Sequence, residues 1–245
     1  MADRKVMLVT GGGRGIGAAV VRLAAARGFD VAFTYVGNAA RAAETEAAAK
    51  AAGAAVLALQ ADVSDPKAVV AAFAAVQERF GRLDALVNNA GITGPKATLR
   101  ESTDAIWEHV FRTNVLGLVA CCREALARLP QGGAIVNVSS RAAALGGGGE
   151  WIHYAASKGA VDTLTIGLAK EAAAQGVRVN AVNPGLIETE LHANAGIPDR
   201  VARMSAGVPM ARGGSAEEVA EAVLWLLSDA ASYVTGALVP VSGGR

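Results

Sequence analysis

Short apolar runs rich in β-branched residues alternate along the chain with longer, alanine-rich segments of helical periodicity. Each short run is apolar on both faces, which is typical of parallel strands covered by helices on both sides. The runs lie at residues 6–10, 31–35, 55–60, 85–87, 134–138, 177–182 and 237–241. Because strand and helix succeed one another throughout, the pattern predicts an α/β fold with a doubly wound, seven-stranded parallel sheet.

Turn and capping residues mark the ends of several predicted helices. Glycine follows the last helical position at Gly28, Gly53 and Gly176, where a left-handed residue commonly ends a helix. Asp65-Pro66 combines a capping side chain with proline at the first helical position, which predicts a helix start. No shift in composition divides the chain, so we expect one domain over residues 1–245.

Composition and charge exclude several classes of protein. Of the 245 residues, 52% are hydrophobic and 18% are charged, so the chain is too apolar for disorder. A net charge of +1 with no basic block argues against nucleic-acid and membrane partners. No uncharged apolar stretch reaches the about 18 residues that span a bilayer, and the run at 6–9 is too short for a signal peptide. We therefore expect a soluble cytoplasmic protein.

The first predicted strand runs directly into a glycine-rich segment, residues 10–17. Glycines permit a sharp turn and the close approach of a phosphate, and the N–H groups of the following helix attract the anion. At the first strand–helix turn, this pattern predicts a Rossmann-type dinucleotide site rather than a turn with incidental glycines. Two registers fit, Gly13-x-Gly15-x-x-Ala18 and Thr10-Gly11-x-x-x-Gly15-x-Gly17. We prefer the second because it begins where the apolar strand stops.

Further motifs follow the strands in order. They are Asp62-Val63 after the third strand, Asn88-Asn89-Ala90-Gly91 after the fourth, Asn114 in a helical stretch at 107–129, Ser139-Ser140 after the fifth strand, Tyr154-x-x-x-Lys158 at the start of the next helix and Asn183-Pro184-Gly185 after the sixth strand. Together with the preferred glycine register, they resemble the motifs of short-chain dehydrogenase/reductases over nearly the whole chain. Among members of this length, the sequence is most similar to 3-oxoacyl-thioester reductases and sugar or polyol dehydrogenases. The resemblance implies a Rossmann fold and hydride transfer between a nicotinamide dinucleotide and a carbonyl or alcohol.

Tyr154 and Lys158 are the predicted acid/base pair. Four residues apart on a helix, they share a face. A tyrosine has a pKa of about 10, and a nearby ammonium favours the phenolate, so we expect Lys158 to lower the pKa of Tyr154. The resemblance also implies that Lys158 holds the nicotinamide ribose hydroxyls. The alternative is that both residues only decorate a helix surface.

Ser140 and Asn114 complete the catalytic set that the resemblance implies. Ser140 would orient the substrate carbonyl toward Tyr154, with Ser139 as the competing candidate, because serines at strand ends also cap loops. Asn114 would hold a water that relays protons from Lys158. Its structural alternative is a hydrogen bond to a neighbouring backbone, since asparagine is a poor helix former.

The resemblance also implies a set of cofactor-binding residues, most of which lie directly after a predicted strand. They are Gly11, Gly13, Arg14, Gly15, Ile16, Gly17, Tyr35, Asp62, Val63, Asn89, Ala90, Gly91, Tyr154, Lys158, Pro184, Gly185, Ile187 and Thr189. NAD-specific sites carry an acid at the end of the second strand, where this chain has Tyr35. Arg14 could pair with a 2′-phosphate, and Arg41 is a weaker candidate. We therefore expect NADP(H) to be preferred over NAD(H).

The predicted substrate lid, at about 188–212, contains two prolines and mixed polarity. Trp151 and His192 are candidate pocket residues with packing as the alternative, whereas His109 and His153 are interpreted as structural or surface residues. The glycines at 146–149 are expected to absorb extra length in the loop between Ser140 and the catalytic tyrosine.

The remaining chemistry-bearing residues give weak signals. Cys121 and Cys122 are adjacent, which excludes an ordinary disulfide framework, so we expect them to pack as small hydrophobic side chains. No histidine and cysteine spacing indicates a metal site.

The sequence therefore predicts an NADP(H)-dependent oxidoreductase acting on a small carbonyl or alcohol that it does not identify. The alternatives are a non-catalytic dinucleotide-binding regulatory protein and an NAD-dependent sugar or polyol dehydrogenase. A pure binder has no need of the complete Ser140, Tyr154, Lys158 and Asn114 set, which favours the enzyme. We also expect a homotetramer, because the helices at 107–129 and 154–175 and the tail at 237–245 carry more apolar surface than one sheet contact requires.

Overall fold

The computed structural model describes residues 4–190, 196–197 and 199–245, and within those ranges seven parallel strands form one sheet. The strands are β1 (Val6–Val9), β2 (Asp30–Tyr35), β3 (Val56–Gln60), β4 (Ala85–Asn88), β5 (Ala134–Val138), β6 (Arg178–Pro184) and β7 (Leu238–Val241). They lie in the order β3-β2-β1-β4-β5-β6-β7. The order reverses between β1 and β4, and such a switch point opens a crevice at the carboxyl ends of the strands. The predicted doubly wound parallel sheet is confirmed.

Helices cover both faces of this sheet. They are α1 (Gly15–Ala26), α2 (Ala39–Ala51), α3 (Pro66–Phe80), α4 (Asp104–Phe111), α5 (Leu118–Leu126), α6 (Ala142–Leu145), α7 (Ile152–Ala172), α8 (Arg200–Met204) and α9 (Ala216–Leu227), with a π-helical segment (Arg112–Gly117) and short 3₁₀ turns (Ala173–Gln175, Ser205–Gly207, Asp229–Ala231). The predicted cap is present at α3, where the Asp65 side chain accepts from the Lys67 N–H at 2.9 Å. In the described part of the chain, no helix is long and apolar enough to cross a membrane.

The strand side chains alternate between two hydrophobic clusters. Met7 and Val9 of β1 join α1 and α9 on one face, whereas Leu8 joins α3, α5 and α7 on the other. Cys121 and Cys122 lie in the second cluster as buried thiols, and burial raises the pKa of each to about 12. The prediction that they pack as small hydrophobic side chains is confirmed.

The helix predicted at 107–129 is interrupted. It begins three residues earlier, at Asp104, and a π-helical segment separates α4 from α5. A Cβ on Gly117, the last residue of that segment, would lie 2.7 Å from the Val63 carbonyl oxygen, so the helix packs directly on the loop after β3. Single π-helical turns are frequent at functional sites, and this segment carries Asn114.

Candidate active site

A cavity of about 650 Å³ opens at the carboxyl ends of the strands, at the switch point between β1 and β4. It brings together residues that the sequence places far apart. The predicted site residues that line it are Gly11, Gly13, Arg14, Gly15, Ile16, Tyr35, Asp62, Val63, Asn89, Ala90, Gly91, Ser140, Tyr154, Lys158, Pro184, Gly185, Ile187 and Thr189. Gly17 and Asn114 are not among the residues that line it.

The glycine turn requires glycine at the positions of the preferred register. Gly11 and Gly15 have φ angles of 66° and 52°, in the left-handed region that L side chains rarely adopt. A Cβ on Gly17 would lie 2.3 Å from the Gly11 carbonyl oxygen and 2.4 Å from Asn89 Nδ2. In the other register the third position, Ala18, is an ordinary buried helix residue. The geometry therefore favours the register that begins at Thr10.

Gly12 also requires glycine, although neither register includes it. A Cβ there would lie 2.5 Å from the Phe33 Cβ of β2. The turn thus lies tight against the sheet and leaves its outer side open to the cavity. Arg14, the residue before α1, makes no side-chain cap, so the first N–H groups of a twelve-residue helix face that opening. This cradle fits the phosphates of a dinucleotide.

Asn89 and Thr10 fasten the turn to β4. The Asn89 amide donates to the carbonyl oxygens of Thr10 and Gly11 at 3.0 and 2.9 Å. In return, the Thr10 hydroxyl accepts the N–H groups of Asn89 and Ala90, both at 3.0 Å. The two strand ends on either side of the switch point are therefore joined by four hydrogen bonds.

Lys158 and Tyr154 lie together near the start of α7. The Lys158 Nζ is 5.8 Å from the centroid of the Tyr154 ring and donates to the Val138 carbonyl oxygen at 2.8 Å. Lys158 is 4% exposed, and burial lowers the pKa of its amino group to about 8 against the opposing charge of Asp162.

The expected lowering of the Tyr154 pKa is wrong for this structure. Burial raises the pKa of Tyr154, and only the Ser140 hydrogen bond opposes that rise. The reason is that the Lys158 ammonium donates to the Val138 carbonyl and has little effect on the charge of the Tyr154 phenol. Desolvation of the phenolate is therefore the larger effect.

The two serines after β5 have different surroundings. The Ser139 hydroxyl is buried and donates to the Lys158 carbonyl oxygen at 3.1 Å, which attaches β5 to α7. The Ser140 hydroxyl hydrogen-bonds Tyr154, accepts the Ala142 N–H at 3.1 Å and lines the cavity. Of the two candidates, this geometry favours Ser140 as the residue that can reach a substrate.

Asn114 joins the loop after β4 to α7. Its side chain accepts the Ile92 N–H at 2.9 Å and donates to the Ile92 carbonyl oxygen at 2.8 Å and to the Ser157 hydroxyl at 3.0 Å. The hydrogen bond to a neighbouring backbone, its structural alternative, is thus present. A Cβ on Gly91 would lie 3.3 Å from Asn114 Oδ1 and 3.4 Å from Lys158 Nζ, so both polar groups flank this glycine.

Asp162 is a site residue that the sequence reasoning missed. The Asn183 amide donates to both of its carboxylate oxygens at 3.1 and 3.0 Å, and burial raises the pKa of this carboxyl. Asp162 is one helical turn beyond Lys158, and its charge raises the pKa of that lysine. The i,i+4 spacing was a signal that could have identified it.

A carboxylate lies between the two candidate phosphate-binding arginines. Glu190 is 3.8 Å from Arg14 and 3.2 Å from Arg41, and all three side chains are about half-exposed. Tyr35 lines the cavity beside them. Thr189, next to Glu190, would be 3.5 Å from a Cβ on Gly15, so the start of the predicted lid lies against the glycine turn.

The other end of the cavity holds Trp151, which is buried and lines it. His109 is exposed and also lines it, whereas His153 is buried with its Nε2 3.0 Å from the Thr93 carbonyl oxygen, as expected for a structural residue. His192 lies outside the described residues.

The predicted lid segment begins and ends at one point of the fold. Ile187 bridges Gly214, with the Glu188 N–H donating to the Gly214 carbonyl at 2.9 Å and the Gly214 N–H donating to the Leu186 carbonyl at 2.8 Å. We call this pairing the lid root. Along the chain between these two paired residues lies α8, which brings Arg200 to the cavity.

Sequence comparison identifies the family. A family model described as enoyl-(acyl carrier protein) reductase matches residues 11–245. The chain is 51% identical to the uncharacterized oxidoreductase YgfF of Escherichia coli (strain K12), with 98% of this chain and 99% of that protein covered. It is 43% identical to cis-4-hydroxycyclohexanecarboxylate dehydrogenase of Sinomonas cyclohexanicum, with 98% and 96% covered.

Structural comparison agrees. A short-chain dehydrogenase from Burkholderia cenocepacia J2315, solved in complex with NADP, superposes with a TM-score of 0.92 at 35% identity, covering 98% of this chain and 97% of that one. The fold, the glycine turn and the grouped serine, tyrosine and lysine agree with these similarities. The chain therefore belongs to the short-chain dehydrogenase/reductase family, and it is an oxidoreductase with a nicotinamide dinucleotide as its cofactor.

Proposed function

We propose that the protein transfers a hydride between NADP(H) and the reacting carbon of a carbonyl or alcohol substrate. Tyr154 is the acid/base, Ser140 binds the substrate oxygen, Lys158 holds the ribose and supports the phenolate, and Asn114 completes a proton relay. The observation that carries this proposal is that Ser140, Tyr154 and Lys158 line the same cavity as the glycine turn.

The protein's own part in the reaction is orientation and proton transfer. The dinucleotide, when bound, supplies or accepts the hydride. In the reducing direction the Ser140 hydroxyl donates to the substrate oxygen, and the Tyr154 hydroxyl transfers its proton to that oxygen as the hydride reaches the carbon. A raised pKa keeps Tyr154 protonated at neutral pH, as a proton donor must be. The resulting phenolate is then stabilised by the Ser140 hydroxyl.

Lys158 and Asn114 would return the proton to Tyr154. The Lys158 amino group has three donors and spends one on Val138, which leaves donors for ribose hydroxyls and a water. The Asn114 side chain is committed to Ile92 and Ser157. A relay water would therefore have to bind beside this residue without displacing those side-chain hydrogen bonds.

The test is Tyr154→Phe, assayed on a panel of ketones, acyl thioesters and sugars with NADPH and NADH. We expect kcat to fall about 10²–10⁴-fold while dinucleotide affinity is kept, because only the proton donor is removed. Tyr233→Phe is the matched control, since Tyr233 is fully exposed. Retention of most of the wild-type rate in Tyr154→Phe would contradict the acid/base assignment.

The preference for NADP(H) rests on charge at the end of β2. Tyr35 supplies no carboxylate to repel a 2′-phosphate, and Arg14 and Arg41 both reach the same region. Their shared partner, Glu190, is about half-exposed, so a 2′-phosphate would compete with its carboxylate for the two guanidinium groups. Paired guanidinium groups are good phosphate ligands.

The proposed homotetramer rests on exposed apolar side chains and an open sheet edge. Leu116 of the π-helical segment and Ile166 of α7 are 59% and 40% exposed. At the sheet edge, Leu238, Val239 and Val241 of β7 are only half-buried. Pairing these surfaces across two-fold axes would cover both.

A further inference from the structure

The end of the cavity that holds Trp151 and Arg200 contains buried hydrogen-bond donors without acceptors. Arg200 of α8 is 8% exposed, its guanidinium carbon is 4.5 Å from the centroid of the Trp151 ring, and its Nη1 donates to Glu150. Within the described part of the chain, Arg200 Nε and Trp151 Nε1 are buried with no hydrogen-bond partner. Buried donors are rarely left unpaired, because each loses its hydrogen bond to water and gains none in the protein. Two such donors on residues lining one cavity indicate a missing acceptor.

Positive charge is in excess at the same place. Arg245 is half-buried and lines the cavity; burial and the Arg200 charge lower its pKa, whereas Glu150 raises it. Lys96, 3.5 Å from Glu150, draws on that carboxylate too. Three cationic side chains, Lys96, Arg200 and Arg245, therefore interact with one acidic side chain, Glu150. A fourth, Arg141, donates from Nε to the main-chain oxygen of Arg245 at 2.7 Å, which helps to hold the terminal segment against the cavity.

We infer that the cleft takes a substrate bearing a carboxylate, which Arg200 and Arg245 hold while the carbonyl or alcohol lies at Ser140 and Tyr154. The inference rests on the proposed function and names the substrate class of that site. A guanidinium in a partly enclosed cleft pairs strongly with a planar carboxylate.

The surroundings favour a carboxylate over a phosphate. Two donors, Arg200 Nε and Trp151 Nε1, lack an acceptor, which equals the number of oxygens that one carboxylate offers. The cavity wall also includes the apolar side chains of Ile92 and Leu145. The expected substrate is thus a hydroxy or oxo acid with a hydrocarbon body.

Turnover tests the inference with 4-oxocyclohexanecarboxylate and its methyl ester, assayed with NADPH. We expect kcat/KM for the acid to exceed that for the ester at least about tenfold. Arg245→Gln should bring the ratio of acid to ester toward one. Arg203→Gln is the matched control, because Arg203 lies on the same short helix, pairs with Asp199 and does not line the cavity. It should leave the ratio unchanged.

A binding measurement separates the substrate class from the reaction. Calorimetry with cyclohexanecarboxylate and cyclohexanecarboxamide is run on the wild type, Arg245→Gln and Arg200→Lys, with NADP⁺ saturating so that the dinucleotide site is filled. Only the carboxylate should bind the wild type, and both variants should weaken it about tenfold or more. Arg200→Lys keeps the charge and removes the two-pronged donor.

The outcomes distinguish the two proposals. Equal turnover of acid and ester, or equal binding of carboxylate and carboxamide, would overturn the carboxylate class while leaving hydride transfer intact. Carboxylate binding that depends on Arg245, without turnover of any ketone, would uphold the anion site and contradict the proposed function.

Discussion

Lys158 combines a charged group with nearly complete burial, and the surrounding residues show how the fold tolerates it. The Val138 carbonyl accepts one of its hydrogens, and Asp162 supplies a negative charge one turn along α7. Burial still outweighs these contacts, because the pKa of Lys158 is lowered to about 8. The ammonium form is therefore held at a cost to stability.

This cost predicts a pH dependence. Lys158 has a folded pKa of about 8 and an unfolded value of 10.5, so between these pH values the unfolded state binds more protons and stability rises with pH. We expect Lys158→Met to be more stable than the wild type below pH 8, with the advantage shrinking by about 3 kcal/mol toward pH 10.5. Urea unfolding from pH 7 to 10 measures it.

Comparing the wild type with Lys158→Met also cancels the effect of other titrating groups on stability, because both proteins contain them. Cys121 and Cys122 have raised pKa values, so both proteins lose stability above about pH 9, and the difference between them isolates the lysine. A difference that stays constant over the whole range would refute the buried-ammonium assignment.

The proposed cofactor preference also depends on single residues. Tyr35→Asp should reverse the preference, weakening NADPH and strengthening NADH by about tenfold each, because the new carboxylate repels a 2′-phosphate and accepts a ribose hydroxyl. Fluorescence titration of both dinucleotides measures this, with Tyr35→Phe as the control. Tighter NADH than NADPH binding to the unmodified protein would be the contrary result.

The Glu190 ion pairs refine the same prediction. Glu190→Gln should tighten NADPH binding and leave NADH binding unchanged, because it releases Arg14 and Arg41 from a competing carboxylate. Glu46→Gln, in a pair with Lys50 on α2, is the matched control.

At the scale of elements, the glycine turn and α1 form one unit with the end of β4. Gly17→Ala should lower the free energy of unfolding by about 1–3 kcal/mol and weaken dinucleotide binding, because the added methyl group collides with Gly11 and with the Asn89 amide. Thermal unfolding with and without NADP⁺ measures both effects. Gly148→Ala is the control, since a Cβ there meets open space. Equal melting temperatures for the two variants would show that the close packing is not needed.

The strands and helix ends could be predicted because their signals are local. Seven apolar runs, the Asp65-Pro66 cap and the glycines after α1 and α2 each act through their own neighbours in sequence. The grouping of Ser140, Tyr154 and Lys158 could be predicted for a related reason, since all three follow β5, Ser140 directly and the other two at the start of the next long helix.

The features that were missed depend on contacts between distant segments. The π-helical turn accompanies the hydrogen bonds of Asn114 to Ile92 and Ser157, which helix propensity does not encode. The need for glycine at Gly12 comes from Phe33 on another strand. The gathering of Arg200 and Arg245 near Glu150 requires the lid and the terminal segment to meet, which no spacing along the chain reveals.

For the whole molecule, the proposed tetramer predicts a mass near four times the 24.7 kDa of one chain. Ile166→Glu should reduce that mass, because a charge on α7 would be buried in the helix-paired interface. Val70→Glu replaces a similarly exposed apolar residue on α3, outside the proposed interfaces, and should not. Light scattering at micromolar concentration decides between them. A mass near 24.7 kDa for the unmodified chain would rule out the oligomer.

The lid root allows the segment between Ile187 and Gly214 to be replaced by another segment. The chain leaves the sheet at Ile187 and returns at Gly214, and these two residues are paired, so the opening that any intervening segment must bridge is fixed. A segment of another length or composition can therefore be spliced between them without displacing β6 or α9. Recombination between these two residues would exchange Arg200 of α8 together with Thr189 and Glu190, and would leave Ser140, Tyr154 and Lys158 in place. Substrate specificity can in this way change by exchange of this one segment, while the sheet stays the same.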